Sequence, residues 1–421
     1  MMKFLRTLLL ALPLTATTLA RELPAPPPPT AAADSLAEDT ELLERLHNMP
    51  NIEIGKGITF QPKNKWMELT LRFRMQNLIG LTFDPNFSLT ATEARVKRVR
   101  LRFDGYLYSP KIVYSIQLGF SGHDTGKSKD GGSNIVRDAI VYYVPSPAWN
   151  IGFGQTKIKA NRAHINSSGA LQLIDRSIVN GEFNPDRDFG LFGEYNKSHN
   201  QGFSLSFKGS ITLGEGRNTT KSHNGGLSYT GRLELYPTGR FSAKGEVIEG
   251  DYLHEKEVKI LIAGAYSFNH KAQKTHGQRG DALPQSRNMG TYYADFVLKY
   301  RGLAFCADFM GRTCRRPIFE NDSQIWIYRG CGLNVQTSYL VAPAWEIALR
   351  NATLFPSHEI RPLAGYAKRN QTTIGVTRYI IGHSLKVQAD VSYNAYKERN
   401  PTIIADKFDR WHMRLQLELG L

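Results

Sequence analysis

Hydrophobic and polar residues alternate without a break over 411–421, W-H-M-R-L-Q-L-E-L-G-L. Trp411, Met413, Leu415, Leu417, Leu419 and Leu421 share one parity; His412, Arg414, Gln416, Glu418 and Gly420 share the other. Successive side chains of a strand point to opposite faces, so this stretch has one apolar and one polar face. A helix would scatter the same residues around its circumference. A water-soluble sandwich turns the apolar face inward, whereas an outer-membrane barrel turns it to lipid and lines its lumen with the polar face. A last strand that ends on an apolar residue is what barrels use to close on their first.

The same period runs through the chain from about residue 66. Over 69–75 the apolar set is Leu69, Leu71, Phe73 and Met75, against Thr70, Arg72 and Arg74. Over 96–105 it is Val99, Leu101 and Phe103, against Arg98, Arg100, Arg102 and Asp104. Further alternating segments fall at 114–120, 139–143, 149–153, 189–191, 203–207, 229–235, 258–262, 292–300, 303–309, 333–339, 345–349, 374–376 and 385–393. Short turns at 108–111, 144–147 and 380–383 contrast with polar loops at 79–93, 121–134, 157–187, 269–290, 314–327 and 397–407. That asymmetry belongs to outer-membrane barrels. With 241–249 there are seventeen candidates, but a barrel with both ends on one side needs an even number. F-S-A-K-G-E-V-I-E at 241–249 is the least apolar, and removing it leaves sixteen. The expected fold is all-β, a transmembrane antiparallel β-barrel of about 16 strands with a lumen that needs no interior core.

Residues 1–20 carry Lys3 and Arg6, a short apolar run and a small-residue exit, the pattern of a secretory signal peptide. A Pro- and Ala-rich linker follows, and D-S-L-A-E-D-T-E-L-L-E-R-L-H-N at 34–48 has the spacing of a short periplasmic helix. The expected organisation is therefore 1–20 leader, 21–64 linker and helix, 65–421 barrel, with export to the bacterial outer membrane and lipid as its surroundings. Cys306, Cys314 and Cys331 are too few for a disulfide scaffold; a Cys314–Cys331 staple and ordinary small residues both fit.

The net charge of +15 points to anionic partners, and nucleic acid is a poor fit for an exported chain. If the apolar sets of 69–75 and 96–105 face lipid, then Arg72, Arg74, Arg98, Arg100 and Arg102 project into the lumen in adjacent rows. Guanidinium stays charged and offers a fork of donors to phosphate or carboxylate oxygens. Basic rows in a pore favour anions, provided binding is weak enough for release. Any one arginine fits a solvated wall equally well, but like charges opposite each other oppose pairing, so the rows favour a function.

Two regions resemble the phosphate-selective porin O/P family: A-R-V-K-R-V-R-L-R-F-D-G at 94–105, and 136–179 with V-R-D-A-I-V-Y-Y, I-G-F-G-Q-T-K and L-I-D-R-S-I-V. Asp138-Ala139, Gly154-Gln155, Lys157 and Arg176-Ser177 match the family pattern; Ile158-Lys159-Ala160 departs from its P-F-G. The G-V-T-R-Y (375–379) and S-L-K-V-Q-A-D (384–390) segments also look similar. The resemblance implies a sixteen-stranded homotrimeric porin with an anion-selective lumen, phosphate or polyphosphate being the first solute to try. It also implies that loop 157–187 narrows the lumen, with Lys157, Lys159, Arg162 and Arg176 as constriction candidates and Asp175 as counter-charge.

Other chemistry finds little support. G-H-D-T-G-K-S at 122–128 has three residues between its glycines where a P-loop needs four. His164 with Ser167 and Ser168, and His383 with Ser384, are the pairs available to a hydrolase, with no orienting acid evident. The eleven histidines show no metal-ligand spacing. No enzyme, metal or cofactor is expected; a surface antigen or adhesin and a barrel-type hydrolase are the alternatives.

Overall fold

Hydrocarbon offers no hydrogen-bond partner, so strands cross a membrane only as a closed barrel. The computed structural model describes residues 50–122, 124–127, 133–198, 202–222, 225–319, 325–400, 402–403 and 410–421. The expected leader and the helix at 34–48 lie outside them, as does the expected 21–64 region up to residue 49. Sixteen strands form the barrel: β1 (Met67–Phe83), β2 (Leu89–Leu107), β3 (Ser109–Gly119), β4 (Val136–Ser146), β5 (Trp149–Lys157), β6 (Arg187–Ser198), β7 (Ser204–Thr212) and β8 (Ser228–Tyr236). The second half comprises β9 (Lys259–Lys274), β10 (Ala282–Tyr300), β11 (Leu303–Cys314), β12 (Gly330–Ala342), β13 (Trp345–Pro356), β14 (Lys368–Ile381), β15 (Leu385–Lys397) and β16 (Arg410–Gly420). Each pairs antiparallel with its neighbour, and β16 returns to β1, from Trp411 opposite Phe83 to Gly420 opposite Arg74. Where β16 ends, the short strand Gly57–Phe60 continues along the β1 edge, Ile58 opposite Leu71.

The alternation sorts as the sequence pattern predicts. Ile151, Phe153, Leu191, Phe207, Leu233, Ile262, Leu415 and Leu417 are exposed on the outside, while Thr373, Gln388, Ser392, Gln416 and Glu418 are buried inside. Trp149 packs on Tyr195 at one end of this band, with centroids 4.8 Å apart, and Trp411 on Tyr393 at the other, 4.6 Å apart. The β1–β2 ladder has two irregularities, one near its outer end between Thr82 and Phe83 and one in its middle. Gln76 faces Arg98 and Asn77 faces Val96, so Lys97 is an extra residue. Such a bulge lets Lys97 and Arg98 both turn inward, and both are buried.

Five connections at one end contain only one to three residues: 108, 147–148, 301–302, 343–344 and 382–384. The opposite, loop end carries 120–135, 158–186, 213–227, 315–329, 357–367 and 398–409. Two expected loops prove shorter than predicted, and 79–93 and 269–290 shrink to 84–88 and 275–281. β1 runs on there with its alternation intact through Ile79, Leu81 and Phe83, and β9 runs on as a polar ladder, pairing with β10 as far as Lys274 opposite Ala282. One turn-end connection is long. Over 237–258 the chain turns inward through a 3-10 segment, Ser242–Val247, where Ala243 and Lys244 have φ of 44° and 59°. That conformation is incompatible with a strand, in keeping with its removal from the count.

The expectation of a lumen without a core is wrong. Loop 158–186 folds into the barrel, and its helices α1 (Arg162–Ile165) and α2 (Ile178–Phe183) bring Ala163, Val179 and Phe183 against inward Tyr293, Met310, Ala352 and Leu354. An apolar patch on the inner wall of β10–β13 is thus covered by loop rather than water. The same loop also packs on β14, where a Cβ on Gly375 would overlap the Leu173 side chain. Cys306, Cys314 and Cys331 are all free thiols, so the Cys314–Cys331 staple is not formed.

Leu415 lies mid-strand on the lipid face. Leu415→Arg is expected to destabilise the barrel by roughly 2–4 kcal/mol, the cost of arginine near the bilayer midplane. Denaturant titration of protein folded in lipid vesicles measures it.

Candidate functional site

The inner faces of β1 and β2 set Arg72 opposite Arg102, Arg74 opposite Arg100 and Gln76 opposite Arg98. Like charges across a ladder repel, and the site answers with acids placed beside them. Asp104 lies 3.0 Å from Arg72 and 2.8 Å from Arg102. Arg74 meets Glu418 of β16 at 3.2 Å and donates to Ser167 at 2.8 Å. Arg100 grips Asp124 through two nitrogens at 2.5 and 2.7 Å and donates to Ser168 at 2.8 Å. Arg98 donates to Gln76 at 2.7 Å. Exposure separates the set. The side chains of Arg72 and Arg102 are 43% and 45% exposed to the lumen, whereas Arg98 and Arg100 are 5% and 8% exposed and act from within the wall.

Loop 158–186 crosses the lumen and is anchored on several sides. Of its candidates, Lys157 donates to the carbonyls of His164, Ile165 and Asn166 at 2.8–3.1 Å, closing the end of α1. Arg176 donates to the carbonyls of Ala163 and Asn166 at 2.5 and 2.6 Å. Lys159 pairs with Glu194 on β6. Arg162 is buried, with its backbone N–H 3.3 Å from Asp295 and its guanidinium 4.0 Å from Asp308. These four positive charges therefore hold the loop's shape, and Lys157 and Arg176 also line a cavity. Asp175 is bound by Lys97 at 2.6 Å and Arg414 at 2.8 Å. Burial pushes its carboxyl up, but the charges of Lys97, Arg414 and Arg98 outweigh that and hold it well below the usual carboxylate range. At the tip, Lys386 donates to the carbonyls of Gly169 and Leu171 at 2.9 and 2.7 Å. A Cβ on Gly169 would overlap the Arg74 guanidinium.

The loop leaves two basic cavities. One, of about 360 Å³ towards the loop end, is lined by eight Arg or Lys side chains against three Asp. The other, of about 230 Å³, lies towards the turn end and includes Arg72, Arg74, Arg102, Ser384 and Leu421. Arg100 lines both. Sequence reasoning missed Arg137, Arg187, Arg217 and Arg279 of the first cavity. Arg137 and Arg187 each stand beside an Asp, in R-D pairs at 137–138 and 187–188, which was their only signal. It also missed Asp124, inside the P-loop look-alike, which binds Arg137 at 2.9 Å as well as Arg100. Burial raises the Asp124 pKa, but the hydrogen bond and charge of Arg100 with Arg137 and Arg98 bring it from 3.8 down to about 2. Lys97 was concealed by the bulge. His164 does not pair with Ser167 or Ser168: it faces Asp186 at 3.3 Å, while the two serines accept from Arg74 and Arg100.

Residues 70–238 match the family Phosphate-selective porin O and P. The match spans β1 to β8, including both arginine rows and the inward loop. Among solved structures, the outer membrane channel DcaP of Acinetobacter baumannii is similar at 13% identity, covering 87% of this chain and 100% of its own, with a TM-score of 0.54. OmpF of Salmonella typhi, solved with daunomycin, is 10% identical over 86% of this chain and 100% of its own, TM-score 0.54. OmpT of Vibrio cholerae in a trimer form is 12% identical over 83% and 99%, TM-score 0.50. The curated proteins give no match. The chain folds as a porin-type barrel, and the family match over 70–238 supports a place in the bacterial outer membrane.

Removing Arg100 leaves Asp124 buried beside Arg137 alone and Ser168 without its donor. Arg100→Ala is expected to raise proteolytic cleavage within 158–186 in the folded barrel several-fold, about what loss of a charged hydrogen bond gives. The pH dependence follows from the same pairs. A carboxyl depressed to about 2 contributes above its ordinary 3.8 and loses its pairing as pH falls through about 2. His164, pushed by burial down to about 3 despite Asp186, stays neutral above that. Protease protection of 158–186 in the folded barrel should therefore stay unchanged from about pH 7 down to about pH 5, as far as Asp124 and His164 govern it, and be lost only in stronger acid; a step near pH 6 would contradict this.

Proposed function

We propose that this barrel is a passive, anion-selective diffusion channel, with loop 158–186 narrowing the lumen and Arg72, Arg74, Arg98, Arg100, Arg102, Lys157, Lys159, Arg162 and Arg176 supplying its positive field. The observation that carries this reading is Arg100 lining both basic cavities, so that guanidinium groups follow one another along the barrel axis. Arg72 and Arg102 meet the solute directly, and the buried arginines act through the field of the wall. Asp104, Asp124 and Glu418 partly offset these charges. That offset favours release, without which an anion site binds and does not conduct. Phosphate and polyphosphate are the first solutes to try, because guanidinium forks match their oxygens. We also read residues 1–20 as the export signal, 21–64 as a periplasmic linker and helix, and the assembly as a homotrimer. The trimer form of the Vibrio cholerae porin supports the last point by analogy of fold.

The test is the reversal potential of purified protein in a planar bilayer under a KCl gradient. Chloride selectivity is expected, with inorganic phosphate acting as a blocker. Arg72→Glu with Arg102→Glu, which spares the buried clamps, should lower the anion preference by roughly an order of magnitude. Cation selectivity of the unaltered protein would reject the basic-lumen mechanism. Absence of conductance would favour the adhesin or hydrolase alternatives.

A further inference from the structure

The 237–258 connection interrupts a turn end whose other connections are mostly of one to three residues, and it turns into the lumen rather than into solvent. Its lower part is firmly held. Lys299 donates to the carbonyls of Gly245 and Ile248 at 2.8 and 2.9 Å. The Glu255 carboxylate accepts from the Ser242 N–H at 2.7 Å, and Asp251 accepts from the Gly302 N–H at 2.7 Å. Phe241 joins a buried cluster with Tyr236 and Val297.

Its upper end meets the tip of the inward loop through Glu249. The Glu249 N–H donates to the Ala170 carbonyl at 2.9 Å, and the Glu249 carboxylate accepts from the Gln172 N–H at 3.1 Å. Glu249 thus holds the loop's tip two residues from Ser168, the partner of Arg100 where the two basic cavities meet. The next residue, Gly250, has φ of +71°, and a Cβ there would overlap the Glu346 carboxylate. The segment can approach this closely only with glycine at that place.

We propose that the 237–258 segment is a prop for the constriction loop, and that Glu249 is the positioning residue through which it sets the width of the path beside Arg100. This rests on the channel reading above. A wall-anchored support fixes the tip against the thermal motion expected of a loop whose backbone would otherwise meet water. Glu249 acts here as a hydrogen-bond acceptor rather than as a field source.

The experiment compares Glu249→Ala with Glu249→Gln in the full-length protein. The Gln variant keeps the acceptor oxygen and removes the charge. Single-channel conductance should rise about two-fold in Glu249→Ala, with weaker chloride selectivity, and stay near the unaltered value in Glu249→Gln. Hydrogen exchange at the Gln172 amide should quicken about ten-fold in the Ala variant only, as fits loss of one hydrogen bond to a carboxylate. Unchanged conductance and exchange in Glu249→Ala would overturn the proposal, as would equal effects from both variants, which would make charge the cause. If the unaltered protein does not conduct, the channel reading fails, while exchange at Gln172 still decides whether the prop exists.

Discussion

The seam between β16 and β1 is the constraint on which everything else rests. Without it the barrel would present two strand edges to hydrocarbon, where an unpaired N–H or C=O costs several kcal/mol. Ten residue pairs from Trp411–Phe83 to Gly420–Arg74 close it. The seam also brings Glu418 and Arg414 beside the arginine-bearing strands. Closure and electrostatic compensation are therefore one event: the strand that completes the sheet also delivers acid to Arg74 and a cation to Asp175.

Inside, the barrel is neither an open tube nor a conventional core. Loop 158–186 covers an apolar patch on β10–β13 and leaves the arginine strands facing cavity. Such a division needs fixed charges at the boundary, because a loop held by apolar contact alone would slide. Lys386 on the tip carbonyls, Arg232 on the Ala160 carbonyl and Lys97 on Asp175 provide that fixing. Most of these side chains are buried, so loss of either partner would strand a charge. The surplus of arginine over acid is confined to the side the loop leaves open.

The strands were legible because lipid imposes one rule on all of them. Period-2 alternation located all sixteen, and the polar composition of 241–249, together with the parity requirement, removed the false one. Where lipid stops acting, the signal stops too. The polar extension at 269–274 reads as loop although it is paired strand, and 79–83 was cut off although Ile79, Leu81 and Phe83 continue the alternation of β1. The inner wall was legible by parity, so Arg72 to Arg102 were placed inward correctly. Which of them meets water and which is bound by Asp124 depends on a loop far away in sequence, and no local pattern encodes that. Arg137, Arg187, Arg217 and Arg279 were missed for the same reason. The interior patch of Tyr293, Met310 and Leu354 was overlooked because each stands on a strand already explained by its outward face.

The bulge at Lys97 separates β2 into two reading frames. Residues 91–96 keep one parity and residues from 98 onward the other, while β1 runs opposite them without interruption up to Thr82. The arginines at 98, 100 and 102 are thus indexed to the lumen independently of the outer half of the strand. Changes in length beyond the bulge, in the segment that reaches the cell surface, can be absorbed there without turning the arginines to lipid. A surface exposed to selection by its surroundings can in this way vary while the charged wall below keeps its register.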